Sequence, residues 1–397
     1  MTDVPAAGGN RSVRLGDQVY EWSPGAGERT GRPGLVTQVG RSFQAAHPEV
    51  PVLLDHGRHL VVELAGGDAS LTAGGPEHVD WRIEPLPLGT VVVDRPRPAA
   101  RTTDEDTAAL LATLSPESFD ETMRFLTGLP TRHSWSAGFR EAADWVSARL
   151  VAAGFAVTRP SITVGTGTSS SVIGDRPGTG TGDRGVVLVA AHLDSVNTAG
   201  GPSAPAPGAD DNGSGSAGAL ELARVLAGLP WQHDLRVLLF GGEEQGLHGS
   251  RQYVAALSPG ERSRIRGVLN LDMVGALNTA APTVLLEGAA LSRSLIDDLA
   301  AAAATWTGLV VETSLNPFAS DHVPFLDAGI PAVLTIEGAD SANGDIHSDR
   351  DVLATVTTAL AMRILRMDAA ALAGWLGPVA EGQNSRADGS SVPFRTA

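Results

Sequence analysis

The sequence predicts an α/β fold: a three-layer sandwich with a mostly parallel central sheet, preceded by a small β-rich N-terminal domain. Two observations carry this expectation. From about residue 110 onward, short apolar runs alternate with helical patterns, as expected of strands covered by helices on both faces. Before residue 100, Gly and Pro punctuate short β-type runs. Composition bounds the answer: of 397 residues, 42% are hydrophobic and 19% charged. That is ordinary globular usage and excludes a largely disordered, collagen-like or disulfide-built chain.

In the N-terminal unit, residues 1–100, the runs at 50–54, 59–64 and 90–93 read as strands. The charged, Pro-containing stretch 94–106 has no period, and 101–109 is taken as a linker. In the main domain, 110–376, helices are expected from Ser115-Pro116-Glu117 and after Ser136. The second carries Phe139, Ala143, Val146 and Leu150 at helical spacing and stops at Gly154. Strands are expected at 186–190, 235–240, 268–271, 284–286 and 331–336, with helices at 216–227 and 291–304 between them. A final helix at 352–372 precedes a polar tail, 377–397, expected to be unstructured.

Charge and residue usage narrow the chemistry. The 29 basic residues are outweighed by 45 acidic ones, for a formal charge of −16, which repels phosphate backbones and argues against a nucleic-acid partner. No basic residue is Lys, which excludes Schiff-base chemistry and a phosphate-loop lysine. With no Cys, thiol nucleophiles, disulfides and Cys-bound zinc are excluded. No run approaches the roughly 20 apolar residues that span a bilayer, and residues 1–10 lack a signal-peptide pattern. The expectation is a cytoplasmic protein without membrane contact; its oligomeric state is left open.

Any metal must therefore sit on His, Asp and Glu, and such residues occur where strands should end, the usual place for a binding crevice in open α/β sheets. A-A-H-L-D-S gives His192 and Asp194 on one side of an extended segment. P-G-A-D-D-N-G-S-G gives Asp211 in a tight turn before a helix. Calcium-loop spacing is nearly met from Asp210 to Glu221, but the Pro-rich 202–208 cannot supply the helix an EF-hand needs before its loop. F-G-G-E-E-Q-G gives adjacent Glu243 and Glu244, N-L-D-M gives Asp272, and G-D-I-H-S-D gives His347. Each alone has a plain reading as a cap, a dipole partner or a solvated side chain. Together, His192, Asp211, Glu244, Asp272 and His347 form an oxygen-and-nitrogen ligand set suited to two divalent ions, Zn2+ first, with Co2+ or Mn2+ as alternatives. Three ligand carboxylates and a hydroxide would balance two such ions. Adjacent carboxylates can also divide labour, one holding metal and one taking a proton.

At these residues the sequence resembles the zinc aminopeptidase family of bacterial leucine aminopeptidases, whose relatives include glutamate carboxypeptidases and glutaminyl cyclases. The resemblance covers roughly 110–370 and rests on H-L-D-S, G-A-D-D-N-G-S-G, E-E-Q-G-L-H-G-S, N-L-D-M, S-D-H-V-P-F-L-D-A-G-I-P-A and I-H-S-D, in that order. It implies a zinc-peptidase fold and an aminopeptidase acting on peptides with a free N-terminus. It also implies that Asp211 bridges two ions, that His192 and Asp272 complete one, and that Glu244 and His347 complete the other. By the same resemblance Glu243 is the general base, Asp194 orients His192, and the peptide bond after Asp211 is cis. Some members polarise the substrate carbonyl with a Tyr near the S-D-H motif or before the last His; Pro317, Phe318 and Ile346 stand there in this chain. A carboxypeptidase or dipeptidase, a glutaminyl cyclase, and a non-catalytic metal-stabilised binding protein are the rival readings. The N-terminal unit is expected to act as a cap or prodomain, and His47, His56 and His59 to be solvated or locally bonded rather than ligands. Ser320-Asp321-His322 cannot form a catalytic relay among sequence neighbours and is read as pocket wall, with Phe325 and Ile330 as packing.

Overall fold

The structure, a computed structural model, describes residues 12–21, 32–64, 80–87 and 89–379. The tail expected at 377–397 lies outside them from residue 380. In the N-terminal hundred residues come β1 (Ser12–Leu15), β2 (Gln18–Glu21), β3 (Arg32–Gln38), α1 (Ser42–Ala46), β4 (Val52–His56), β5 (His59–Leu64), β6 (Trp81–Pro85) and β7 (Thr90–Asp94). Then follow α2 (Glu105–Leu111), α3 (Pro116–Gly128), α4 (Ala137–Ala152), β8 (Ala156–Thr158), β9 (Ser161–Val164), β10 (Gly167–Ser170), β11 (Val172–Arg176), β12 (Val186–His192) and α5 (Gly215–Leu226). The chain continues through β13 (Asp234–Phe240), α6 (His248–Ala256), α7 (Pro259–Arg264), β14 (Ile265–Leu271), β15 (Thr283–Gly288) and α8 (Arg293–Trp306). It closes with β16 (Val310–Ser314), α9 (His322–Asp327), β17 (Ala332–Glu337) and α10 (Thr358–Leu376).

Eleven strands form one sheet in the order β2-β1-β7-β16-β15-β17-β14-β12-β13-β11-β8. Its centre, β17-β14-β12-β13, is parallel, while β15 against β17 and β11 against β13 run antiparallel. Alternation along β12 explains the layers. Val187, Val189 and Ala191 face a core built with α2, α3, α4, α5, α8 and α10, whereas Val186, Leu188 and Ala190 face one built with α6 and α9. A strand buried on both faces reads as an unbroken apolar run, hence V-V-L-V-A-A. Helix starts follow local chemistry: Ser115 and Ser136 accept from Ser118 N and Phe139 N, Pro116 fills the first turn of α3, and Ser258 and Glu261 close a capping box on α7.

The N-terminal residues divide between two sheets. β1, β2 and β7 extend the edge of the large sheet, β7 pairing with β16 through Asp94 and Val93. β4-β5-β3-β6 form a separate four-stranded sheet. One face of the latter, through Leu35 and Val61, packs with Leu285, Leu334, Ile336 and Met273 of the main sheet and its strand ends. α10 begins at Thr358 rather than 352: residues 353–355 make a single 3-10 turn, and the exposed Val352 and Leu353 offer no helix face to bury.

Candidate metal centre

Parallel strands ending side by side bring the chemistry together. His192 closes β12, Asp272 follows β14, and Glu243 and Glu244 stand on the turn after β13. Asp211 lies in the irregular helical turn 209–214 before α5, where its peptide bond to Asn212 is cis. His347 arrives from the loop after β17 in a left-handed conformation, φ 55°. Side-chain donors of His192, Asp211 and Asp272 cluster, as do those of Asp211, Glu244 and His347, so Asp211 belongs to both groups.

The geometry is that of a shared carboxylate. Asp211 Oδ1 is 3.2 Å from His192 Nε2, and Oδ2 is 3.1 Å from His347 Nε2. His192 Nε2 is 3.3 Å from Asp272 Oδ1, and His347 Nε2 is 3.2 Å from Glu244 Oε2. Ligands about 2.0 Å from a tetrahedral zinc are separated by about 3.3 Å, so these donors sit at the spacing such an ion requires. Glu244 Oε1 is buried without a hydrogen-bond partner, a free acceptor beside the second group. The donor set fits two zinc-type ions.

Surrounding side chains hold the ligands. Asp351 accepts from the backbone amides of Asp210 and Asp211, both at 2.9 Å, and so fixes the Asp211 turn. Asn212 Oδ1 accepts from Gly215 N and Met273 N, while its Nδ2 donates to Leu271 O, tying that turn to the end of β14. Ser320 Oγ donates to Asp272 Oδ2 at 2.6 Å and accepts from Asn270 Nδ2. The Asp194 carboxylate accepts from Glu243 N, Glu244 N and Ser134 Oγ. Its nearer oxygen is 3.7 Å from His192 Nδ1, whereas the Asp194 carbonyl oxygen is 3.2 Å away. The ring contact is therefore made by the backbone, and the carboxylate aligns the Glu243–Glu244 turn. Arg132 is fully buried and donates to the carbonyls of Leu126, Leu193, Pro207 and Gly208, locking two ligand loops together.

The sequence pointed to Asn212 only as a calcium-loop position and as the residue after the cis peptide bond, and to neither Asp351 nor Arg132. The signal for Asp351 was its place four residues after His347; Arg132 carried none.

Crowded carboxylates dominate the electrostatics. Burial opposes charging of His192, but Glu243 and Asp272 outweigh it and raise its pKa well above the ordinary value. Glu244 and Asp211 do the same for His347 against its burial. Burial would raise Asp211, yet hydrogen bonds from both histidines hold it below the usual carboxylate range. Burial pushes Glu244 up to about 7, with Asp211 adding. Glu243 is pushed well up by burial, against the pull of His192. Its Oε2 is 3.9 Å from His192 Nε2, outside both ligand groups but on the same cavity. The site thus calls for positive charge and keeps one extra carboxyl inclined to hold a proton.

Among the described residues, no N-terminal histidine joins a ligand group. His59 is buried, 3.4 Å from Thr37 Oγ1, and burial lowers its pKa to about 3, so it is neutral. His56 faces Glu312, and His47 packs against Phe43 and Trp81. Phe325 and Ile330 are packing residues. Tyr253 OH accepts from Arg236 and its ring packs on Phe240 and Phe325. A larger cavity of about 920 Å³, against α2, α8 and α10, contains none of the candidate ligands.

The family model of peptidase family M28 matches residues 171–372. The chain is 37% identical over 210 residues to leupeptin-inactivating enzyme 1 of Streptomyces exfoliatus, covering 51% of this chain and 44% of that protein. To aminopeptidase YwaD of Bacillus subtilis it is 36% identical over 171 residues, covering 43% and 36%. The alignments thus span less than half the length of these relatives. Two solved structures share the fold at 19% identity. The zinc aminopeptidase BSAP of Bacillus subtilis has a TM-score of 0.59, covering 66% of this chain and 96% of its own. The LapA aminopeptidase of Legionella pneumophila has a TM-score of 0.61, covering 88% and 100%.

Proposed function

The chain belongs to peptidase family M28, and from that premise we propose that it is a two-metal aminopeptidase that removes N-terminal residues from peptides. The observation that carries this reading is the Asp211 carboxylate, with one oxygen facing His192 and the other facing His347, and with Glu243 beside but outside both groups. His192, Asp211 and Asp272 would hold one ion, and Asp211, Glu244 and His347 the other; zinc suits the donors and accords with the names of the structural relatives. When bound, such ions polarise a carbonyl and make water more acidic.

The chain's own residues supply the proton transfers. Glu243 accepts the proton of the water whose oxygen bonds to the scissile carbonyl carbon. It returns that proton to the amine nitrogen as the C–N bond breaks, so the carboxylate is regenerated. Asp194 holds the Glu243 amide and thereby the base's position. Carboxypeptidase or dipeptidase action would need a cation free to bind a substrate carboxylate. Arg58, which lines the cavity, is engaged by Glu287, Asp340 and Phe318 O in this conformation, and the polarity of cleavage separates the readings.

Mass spectrometry of a peptide pool, each member with a free and an acetylated N-terminus, tests the reading with zinc-loaded protein. Stepwise loss of first residues from the free peptides alone is expected. Loss from the C-terminus, release of ammonia without cleavage, or no product would overturn it.

A further inference from the structure

The wall of the metal centre is not built by the peptidase sheet alone. Val39 and Arg58, from the N-terminal four-stranded sheet and its β4–β5 turn, line the same cavity as His192, Asp211, Asp272 and His347. That cavity measures about 20 Å³, whereas sites that enclose small ligands run to about 300–1,000 Å³. It has no room for an amino-acid residue, so a substrate must displace part of the wall. The ends of β12, β13, β14 and β17 belong to strands buried on both faces and cannot give way without opening the core. Ala319 adjoins Ser320, which holds Asp272, and His347 is itself a candidate ligand, so the N-terminal sheet is the part of the wall that can move without disturbing the ligands.

Its attachment near the site combines an apolar contact, Leu35 and Val61 on Met273, Leu334 and Ile336, with one compact charged contact. Arg58 Nε is 3.2 Å from Glu287 Oε2, Nη1 is 3.1 Å from Asp340 Oδ2, and Nη2 donates to Phe318 O at 2.5 Å. All three side chains are buried, so one arginine holds two carboxylates of the main domain. Beside it, Gly57 lies against Ala339 and Ser341, and Gly40 against Ile346, next to His347. Further ties near the rim are Asn316, which accepts from Arg82 and donates to Thr37 Oγ1, Ser341 Oγ, which donates to Gln38 O, and the Arg82 guanidinium stacked over Phe318.

We propose that the N-terminal four-stranded sheet is a gate over the metal centre, latched by Arg58 on Glu287 and Asp340, and that substrate enters only when this latch opens. The gate deepens the aminopeptidase reading and rests on it for the identity of the substrate. It makes Arg58 a positioning residue that acts on access.

The chain has no cysteine, so an engineered pair meets no competing thiol; Cys at Gly57 takes a strained φ of +67°, and urea unfolding of the reduced protein checks that it folds. A Cβ placed on Gly57 would lie 3.8 Å from Ser341 Cβ, the mean separation in disulfides. In the zinc-loaded Gly57→Cys/Ser341→Cys protein, two rates are measured in the oxidised form and again after reduction by a phosphine. One is the removal of zinc by excess EDTA, and the other is the turnover of a leucine chromogenic amide. Both are expected to be at least tenfold slower in the oxidised form and to recover on reduction. Equal rates in the two forms would overturn the gate. Slowed zinc removal with no turnover in either form would support the gate and refute the aminopeptidase reading. Arg58→Met gives an independent measurement by hydrogen exchange: at least tenfold faster exchange at 32–64 with the amides of β12 and β14 unchanged is expected, and unchanged protection at 32–64 would overturn the latch.

Discussion

Replacing Asp351 with Ala should damage the metal centre without touching a ligand. The Asp351 carboxylate accepts two buried amides, Asp210 N and Asp211 N, at 2.9 Å each. An orphaned buried donor costs about 1–3 kcal/mol, so two give about 2–6 kcal/mol. Part is offset, because burial pushes the Asp351 carboxyl up to about 7 and removing it relieves that cost. At pH 5, where that relief is only about 1.6 kcal/mol, the net expected loss in urea unfolding of the metal-free protein is up to about 4 kcal/mol. Because these amides fix the Asp211 turn, zinc affinity measured by chelator competition should fall about 10–100-fold. Asp349, exposed on the same loop, is the control, and its change to Ala should stay within about 0.5 kcal/mol. An Asp351→Ala protein matching Asp349→Ala in both measurements would refute the assignment of Asp351 as the anchor of that turn.

Ser320→Ala removes the 2.6 Å hydrogen bond to Asp272 Oδ2, and zinc affinity by the same competition should fall about tenfold or more. Loading the metal-free protein should release about three protons near pH 6.5, because the surrounding carboxylates keep His192 and His347 protonated against burial and burial keeps most of a proton on Glu244; calorimetry in buffers of different ionisation enthalpy measures the number. Asp368 is buried with Thr335 as its hydrogen-bond donor, and burial raises its carboxyl well above the ordinary value. The folded state therefore keeps this proton after the unfolded chain has lost it, and stability declines as pH rises above about 4. Asp368→Asn should abolish that decline, so its stability relative to the parent rises by up to about 1.4 kcal/mol per pH unit above pH 4, read from urea curves at pH 5 and 8. A constant difference between those pH values would contradict this.

What the sequence made legible was local. The strands ending at His192, Phe240, Leu271 and Glu337 are mostly apolar, and three candidate ligands, His192, Glu244 and Asp272, stand at or shortly beyond the ends of the first three. β16, with Glu312 and Thr313 in its middle, and the polar hairpin of β9 and β10 carried no such run. Pairing of β1 with β7 and of β7 with β16 joins segments far apart in the chain, which no local period records. The same limit hid the supports of the site. Arg132 meets four carbonyls from three segments, and Arg58 meets Glu287 and Asp340 more than two hundred residues away. Their roles exist only once the chain has folded.

The central claim is that Glu243 moves the proton while the five neighbouring side chains hold two ions. Turnover of Glu243→Gln, measured with the bound zinc counted in the same sample, tests it most directly. The expected result is two zinc ions per chain, as in the parent, with kcat reduced about 10²–10⁴-fold. Full turnover at that metal content would contradict the account, and so would loss of zinc in step with activity, which would make Glu243 a ligand rather than the base.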